Sequence, residues 1–185
     1  MAFSSISQAG NLILGFIGPY PEGVAAMLFY MLVFVFTNIA VFGVIIFYSD
    51  ATGQTQIDEY RGMSRTNPLI ALTMTLALFG LAGIPPLAGF VGKFFLFSIA
   101  AKAGMHWLVA VAAINSTISL YYYLRIVRAM YIEPPDEKCS RLVVSPVMQV
   151  TLLVASLGVV FLGIFPFFYD VIQESTAGWV AMFGG

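Results

Sequence analysis

Residues 25–48 are 24 consecutive positions without one formal charge, built mainly from Phe, Val, Ala, Ile and Leu. About 20 mostly apolar residues suffice for an α-helix to cross the roughly 30 Å hydrocarbon layer of a bilayer. In a chain of 185 residues such a run commits the fold to a membrane, where backbone polar groups must find partners within the protein. Composition agrees: 60% of residues are hydrophobic and 9% charged, against about a quarter charged in soluble domains. The apolar content excludes disorder, and 9 acids against 8 bases exclude a nucleic-acid binder. The single cysteine, Cys139, cannot form an internal disulfide, so packing must hold the fold. The start, Met1-Ala2-Phe3-Ser4-Ser5, lacks a basic region, so no cleaved secretory signal is expected.

The charges divide the remainder. Apolar runs at residues 3–18, 25–48, 68–84, 87–103, 106–132 and 146–171 predict an all-α, polytopic transmembrane bundle of about six spans. The stretch 49–67 holds Asp50, Asp58, Glu59, Arg61 and Arg65 and must lie outside the hydrocarbon. Simple alternation of six spans sets Lys138, Arg141, Arg125 and Arg128 on one side and Arg61, Arg65 and Lys102 on the other. The positive-inside rule then favours the first group as cytoplasmic by four bases to three.

Lys93 is the exception among 17 charged residues; the other 16 fall in connections, at span ends or near the C-terminus. A lysine at the bilayer centre costs about 3 kcal/mol on insertion scales, so such residues face a protein interior or an aqueous cavity. The bland alternative is a lysine that snorkels to the headgroups from a helix end. The string Gly83-Ile84-Pro85-Pro86-Leu87-Ala88-Gly89-Phe90-Val91-Gly92-Lys93-Phe94 favours the interior reading. Its glycines and prolines predict one broken helix around Pro85–Lys93, and freed backbone groups at membrane depth are tolerated only inside protein or beside water. A desolvated amine exchanges protons where an exposed one stays charged.

The run Leu81-Ala82-Gly83-Ile84-Pro85-Pro86-Leu87-Ala88-Gly89-Phe90-Val91-Gly92-Lys93-Phe94, the later Leu120-Tyr121-Tyr122-Tyr123-Leu124-Arg125 and the opening Ser4-Ser5-Ile6-Ser7-Gln8-Ala9-Gly10 resemble the subunit N family of proton-pumping NADH-quinone oxidoreductase, respiratory complex I. These are antiporter-like membrane subunits, much longer than this chain, and the resemblance is to their C-terminal portion. It implies a second antiporter-like repeat over residues 1–132, a loop over 133–145, and a final transmembrane helix with a C-terminal tail over 146–185. It also implies that Lys93 is the proton-transferring lysine of the second broken helix. The related subunit M family carries glutamate there. Gln8 stands where some relatives have histidine and can do no more than hydrogen-bond.

From the same resemblance, the chain is expected to be part of an H+-translocating NADH:quinone oxidoreductase of the bacterial inner membrane, without redox catalysis of its own. No cofactor is expected in it; NADH, FMN, iron-sulfur clusters and quinone would sit on other subunits. Its partners would be the lipid bilayer and other membrane subunits of complex I. The alternative reading is a subunit of a cation/proton antiporter.

The residues support the absence of cofactor chemistry: there is no dinucleotide fingerprint, no second histidine beside His106 and no cysteine cluster. His106 next to Trp107 reads as interfacial. Asn115, Ser116, Thr117 and Ser119 among alanines read as close helix packing. Tyr121, Tyr122 and Tyr123 read as an interfacial aromatic belt, with one of them free to line water. Thr37, Asn38, Thr73 and Thr75 could bridge helices or hold water.

Overall fold

In the computed structural model the described residues, 2–53, 56–134 and 142–183, form helices joined by short connections, with no strand among them. Cys139, Lys138 and Arg141 lie outside the described residues. The first helix, α1, is Ala2–Ile13, extended by a 3-10 turn at Leu14–Ile17. The second, α2, is Glu22–Thr52, 31 residues and therefore about 46 Å long.

Helix α2 outruns the uncharged 25–48 because its terminal turns leave the apolar layer, taking Glu22 and Asp50 with them. Glu22 lies in the first turn, where a carboxylate complements the helix dipole. Gly53, in the left-handed conformation (φ 73°), closes the helix by donating its N–H to Ser49 O at 2.8 Å. Phe29, Tyr30, Val33, Thr37, Ala40, Val41, Val44 and Tyr48 form its buried stripe. Four later helices pack on this spine: α4 (Pro68–Ala82), α5 (Ala88–Lys102), α7 (Pro146–Ile164) and α8 (Phe167–Phe183).

Between α2 and α4 a 3-10 turn at Ile57–Tyr60 and a one-turn helix α3, Met63–Thr66, fold back on the bundle. Tyr60 stacks on Tyr48 with ring centroids 4.6 Å apart. Burial, and then the adjacent Glu59 carboxylate, push its phenol up from the usual tyrosine range.

Three contacts fix which ends lie together. Lys102 Nζ meets Glu22 Oε2 at 2.9 Å, so α5 finishes where α2 begins. Arg61 Nε meets Glu133 Oε2 at 2.8 Å, and Gly62 N–H donates to Ala129 O at 3.0 Å. The segment before α4 therefore lies beside the end of α6, His106–Tyr131. Helices α4 and α5 have 15 residues each, about 22 Å apiece, and together they travel the length that α2 covers alone.

This corrects the sidedness derived from simple alternation. Arg61 and Arg128 both approach Glu133, at 2.8 and 3.9 Å, and so lie at the same end of the bundle. Strict alternation of six full spans would have put them at opposite ends. Among the described residues three helices, α2, α6 and α7, are long and apolar enough to cross a membrane by length and composition.

The segment after the last connection also differs from expectation. Instead of one span over 146–171 and a tail, α7 stops at Ile164 ahead of Pro166, which cannot donate to a continuing helix, and α8 starts at Phe167. Tyr169 then stacks on Phe95 at 3.8 Å and meets Phe29 edge-on at 6.0 Å, which draws α8 against α2 and α5.

Glycines set the closest approaches. A Cβ on Gly89 would lie 1.7 Å from Gly80 O, so the first turn of α5 rests directly on the last turn of α4. A Cβ on Gly163 would lie 2.2 Å from Pro86 O and 2.5 Å from Ala88 N, so the end of α7 is seated on the gap between α4 and α5. Gly10, by contrast, has nothing within 4 Å. Gly89→Ala and Gly163→Ala should each lower the thermal unfolding temperature in detergent, by a stability loss of about 1–3 kcal/mol from overpacking. Gly10→Ala should cause no loss.

Candidate functional site

Helix α4 ends because Gly83 adopts φ 84°, a conformation that side chains resist, with its N–H shared between Phe79 O and Gly80 O. Ile84 N–H also returns to Phe79 O at 3.1 Å. Pro85 and Pro86 bring no N–H, and α5 cannot begin until Ala88. The last carbonyls of a helix have no intrahelical donor. Here those of Leu81 and Ala82 fall inside the protein, the two residues being only 5% and 8% exposed.

Lys93 supplies the missing donor. Its side chain is buried, and Nζ donates to Leu81 O at 2.8 Å and Ala82 O at 3.1 Å. The negative end of the α4 dipole and two carbonyl lone pairs thus face one ammonium. No described ion pair involves Lys93. Gly83 lies under its stem, where a Cβ would come 3.0 Å from Lys93 Cδ. Gly92 lets α5 close onto the Tyr30 ring, which a Cβ there would meet at 2.7 Å. The interior reading of Lys93 holds, and it does not snorkel.

Leu81 O has a second donor, Gln8 Nε2, at 3.0 Å. Gln8 Oε1 in turn accepts from the Tyr30 hydroxyl and, at 3.4 Å, from Asn11 Nδ2. Further along α1, Ser4 Oγ hydrogen-bonds the Tyr123 hydroxyl. Ser4, Gln8 and Asn11 are all buried, while Phe3, Ile6, Ile13 and Phe16 of the same segment are exposed. Helix α1 is therefore polar inward and apolar outward, the arrangement expected of a surface that faces lipid.

On its other side Lys93 lines a cavity of about 290 Å³ between α5, α6 and the gap, together with Ser116, Thr117, Phe97 and Leu120. The four polar residues of α6 have different fates. Asn115 Nδ2 donates across to Ser7 Oγ on α1 at 2.8 Å, and Thr117 and Ser119 bond back to the carbonyls of Ala113 and Asn115. Those contacts fit helix packing. Ser116 Oγ is buried with no hydrogen-bond partner and lines the cavity of Lys93. In α2 and α4, Thr37, Asn38 and Thr75 bond back one turn, and Thr73 Oγ1 accepts from Ser156 Oγ of α7 at 3.2 Å.

Tyr123 departs from the interfacial belt expected of it: it is fully buried, whereas Tyr121 is exposed. It shares an inward stripe with Ser119, Ile126 and Met130, a spacing of three and four that the tyrosine run conceals. Tyr30, in the first part of the uncharged run, is the network residue with no warning in its surroundings. Ser4, Gln8 and Asn11, at i, i+4 and i+7, carry a readable signal, since three polar residues on one face of an apolar helix mark an interior face.

The family model described as NADH:quinone oxidoreductase/Mrp antiporter, TM, matches residues 1–119, which include the whole string from Leu81 to Phe94. The chain belongs to this family. The antiporter-like transmembrane family also supplies relatives over nearly the full chain. NADH-quinone oxidoreductase subunit N of Phocaeicola vulgatus is 43% identical over 176 residues, 95% of this chain and 37% of that protein. A chain of respiratory complex I from Thermus thermophilus, solved with bound aureothin, is 32% identical with a TM-score of 0.77, covering 89% of this chain and 37% of that one. A chain of the Mrp complex from Dietzia sp. shares the fold, with a TM-score of 0.83 at 23% identity over 95% of this chain. The chain spans about 37% of the length of the subunit N relative it matches. It is a multi-pass integral membrane protein. Among the described residues no group of His, Cys, Asp and Glu could hold a metal ion.

A buried carbonyl without a donor costs free energy. Lys93→Met, of similar length but unable to donate, leaves Ala82 O without its donor and should therefore unfold in detergent at a lower temperature than the parent. A higher temperature would mean that the desolvation of the ammonium outweighs its ties to Leu81 O and Ala82 O.

Proposed function

We propose that this chain is the C-terminal portion of a subunit-N-type membrane subunit of NADH-quinone oxidoreductase in the bacterial inner membrane, and that it carries part of a transmembrane proton path. Lys93 is the residue that takes up and releases the proton. The observation that carries this reading is the placement of Lys93: buried, unpaired with any described acid, held on the buried carbonyl end of α4, and bordering a cavity. An ammonium between fixed dipoles and a space able to admit water can part with its proton without leaving its position.

We read α4 and α5 as the two halves of one broken crossing, in agreement with the end-to-end contacts of Lys102 with Glu22 and Arg61 with Glu133. Residues 1–132 then supply four crossings of the second antiporter-like repeat, 133–145 the loop, and 146–185 the last crossing, itself interrupted at Pro166. Arg61, Arg65, Arg125 and Arg128 gather at one end of the bundle, with Lys102 at the other. The positive-inside rule makes the arginine end cytoplasmic.

Redox chemistry lies with other subunits, which hold the NADH, FMN, iron-sulfur and quinone sites. This chain's residues bind, orient and release protons only. A conformational or electrostatic change reaching the gap alters how firmly the α4 carbonyls hold the ammonium, and the proton leaves or returns through the cavity bordered by Ser116.

Lys93→Ala in the full-length subunit of the assembled complex, in inverted membrane vesicles, should cut protons pumped per NADH oxidised by an order of magnitude or more, given the usual worth of a positioned proton-transfer group. Lys93→Arg should also impair pumping, since a guanidinium effectively never deprotonates. Normal pumping by an assembled Lys93→Ala complex sinks the proposal. Ion-driven exchange that persists without NADH oxidation would instead identify a cation/proton antiporter.

A further inference from the structure

Leu81 O is the meeting point of two donors from different helices, Lys93 Nζ of α5 at 2.8 Å and Gln8 Nε2 of α1 at 3.0 Å. Behind Gln8 the Tyr30 hydroxyl donates to Oε1, so the hydrogen bonds run Tyr30 to Gln8 to Leu81 O, with Lys93 arriving at the same oxygen from α5. Such an arrangement is a dead end for proton hopping. A carbonyl flanked by two donors accepts from both and passes a proton to neither, and an amide does not titrate. The Gln8 arm can act on Lys93 only through the shared acceptor.

We propose that Gln8 is a positioning residue for Lys93: by occupying one of the two acceptor positions of the Leu81 carbonyl it limits how tightly the ammonium is held, and so tunes the ease with which the proton departs. The proposal rests on the reading of Lys93 as a proton-exchanging group. A carbonyl oxygen has two lone pairs, and a donor on one withdraws density from the other. Gln8 suits this task because it is buried and satisfied at both ends, with Tyr30 locking its amide in the donating orientation. By elimination, the proton of Lys93 leaves by way of the cavity lined by Ser116 and Thr117, not toward α1.

Few other groups compete for control. Helices α1, α4 and α7 contain no titratable side chain. From α2 the Tyr30 ring lies against Gly92, and its hydroxyl is on Gln8. From α6 Tyr123 is engaged by Ser4. Glu22 of α2 is paired with Lys102 at the far end of α5, and Tyr169 of α8 lies on Phe95.

The test is the pH profile of proton pumping per NADH oxidised, measured in vesicles with the full-length subunit in its assembled complex. Gln8→Met removes the donor at near-constant volume; pumping should persist, with the alkaline limb displaced upward by about half a pH unit. Gln8→Glu places a carboxylate beside the ammonium and should displace it further, by about one unit or more, as for an opposite charge within hydrogen-bonding range. Tyr30→Phe loosens the Gln8 amide and should give a smaller shift in the same direction, which keeps the test decisive if Gln8→Met does not assemble. Profiles that superimpose on the parent overturn the proposal, as does loss of pumping in an assembled Gln8→Met complex, which would make Gln8 a relay. Lys93→Ala in the same series separates the two readings. If it pumps normally, the role of Lys93 fails; if it is inactive while the Gln8 and Tyr30 profiles are unmoved, only the role of Gln8 fails.

Discussion

The structure turns on a helix that ends where no water waits for its carbonyls. At a protein surface the end of α4 would be unremarkable, because solvent would satisfy Leu81 O and Ala82 O. Inside an apolar bundle each oxygen must find a donor from the protein or cost several kcal/mol. The donors are Lys93 and Gln8, drawn from α5 and α1, and their convergence on one oxygen explains why both helices must lie so close to the gap. The lysine and the break are therefore one feature. Without the break the lysine would be a buried charge with no acceptor, and without the lysine Ala82 O would be left bare.

Around this point the packing is made of small residues. Gly89 on Gly80 O, Gly92 on Tyr30 and Gly163 on Pro86 O let backbones touch where an added methyl would collide. In lipid, where apolar burial between helices gains little over lipid contact, such close van der Waals approach is the principal force for association. Charges do the complementary task at the ends: Lys102 with Glu22 at one, Arg61 and Arg128 with Glu133 at the other. These pairs are half exposed and individually worth little, but they state which ends belong together.

Much of this was legible because lipid enforces simple rules. Long uncharged runs had to be helices, and a lysine amid prolines and glycines had to be inside. What stayed hidden is three-dimensional pairing. Periods of apolarity do not show which helix ends meet, so alternation of the apolar runs puts Arg61 and Arg128 on opposite sides, whereas both lie beside Glu133. Apolar residues continue on both sides of Pro166, so composition alone reads 146–171 as one run, whereas α7 ends at Ile164 and α8 starts at Phe167. Tyr30 gave no sign of its role, since its partner Gln8 lies 22 positions away in another helix. Tyr123 was masked by its neighbours, which share its type but not its face.

The seat of Gly163 on Pro86 O and Ala88 N has a bearing on the order in which the molecule is made. A chain synthesised from its N-terminus completes α4 and α5, with Lys93, by Lys102, well before α7 begins at Pro146. Until α7 arrives, the joint between α4 and α5 has a missing wall, and whatever occupies that place, lipid tail or water, must be displaced by a glycine that offers only backbone. The joint beside the lysine is thus walled by a helix from the C-terminal part of the chain, made after the chemical groups of the centre are already present.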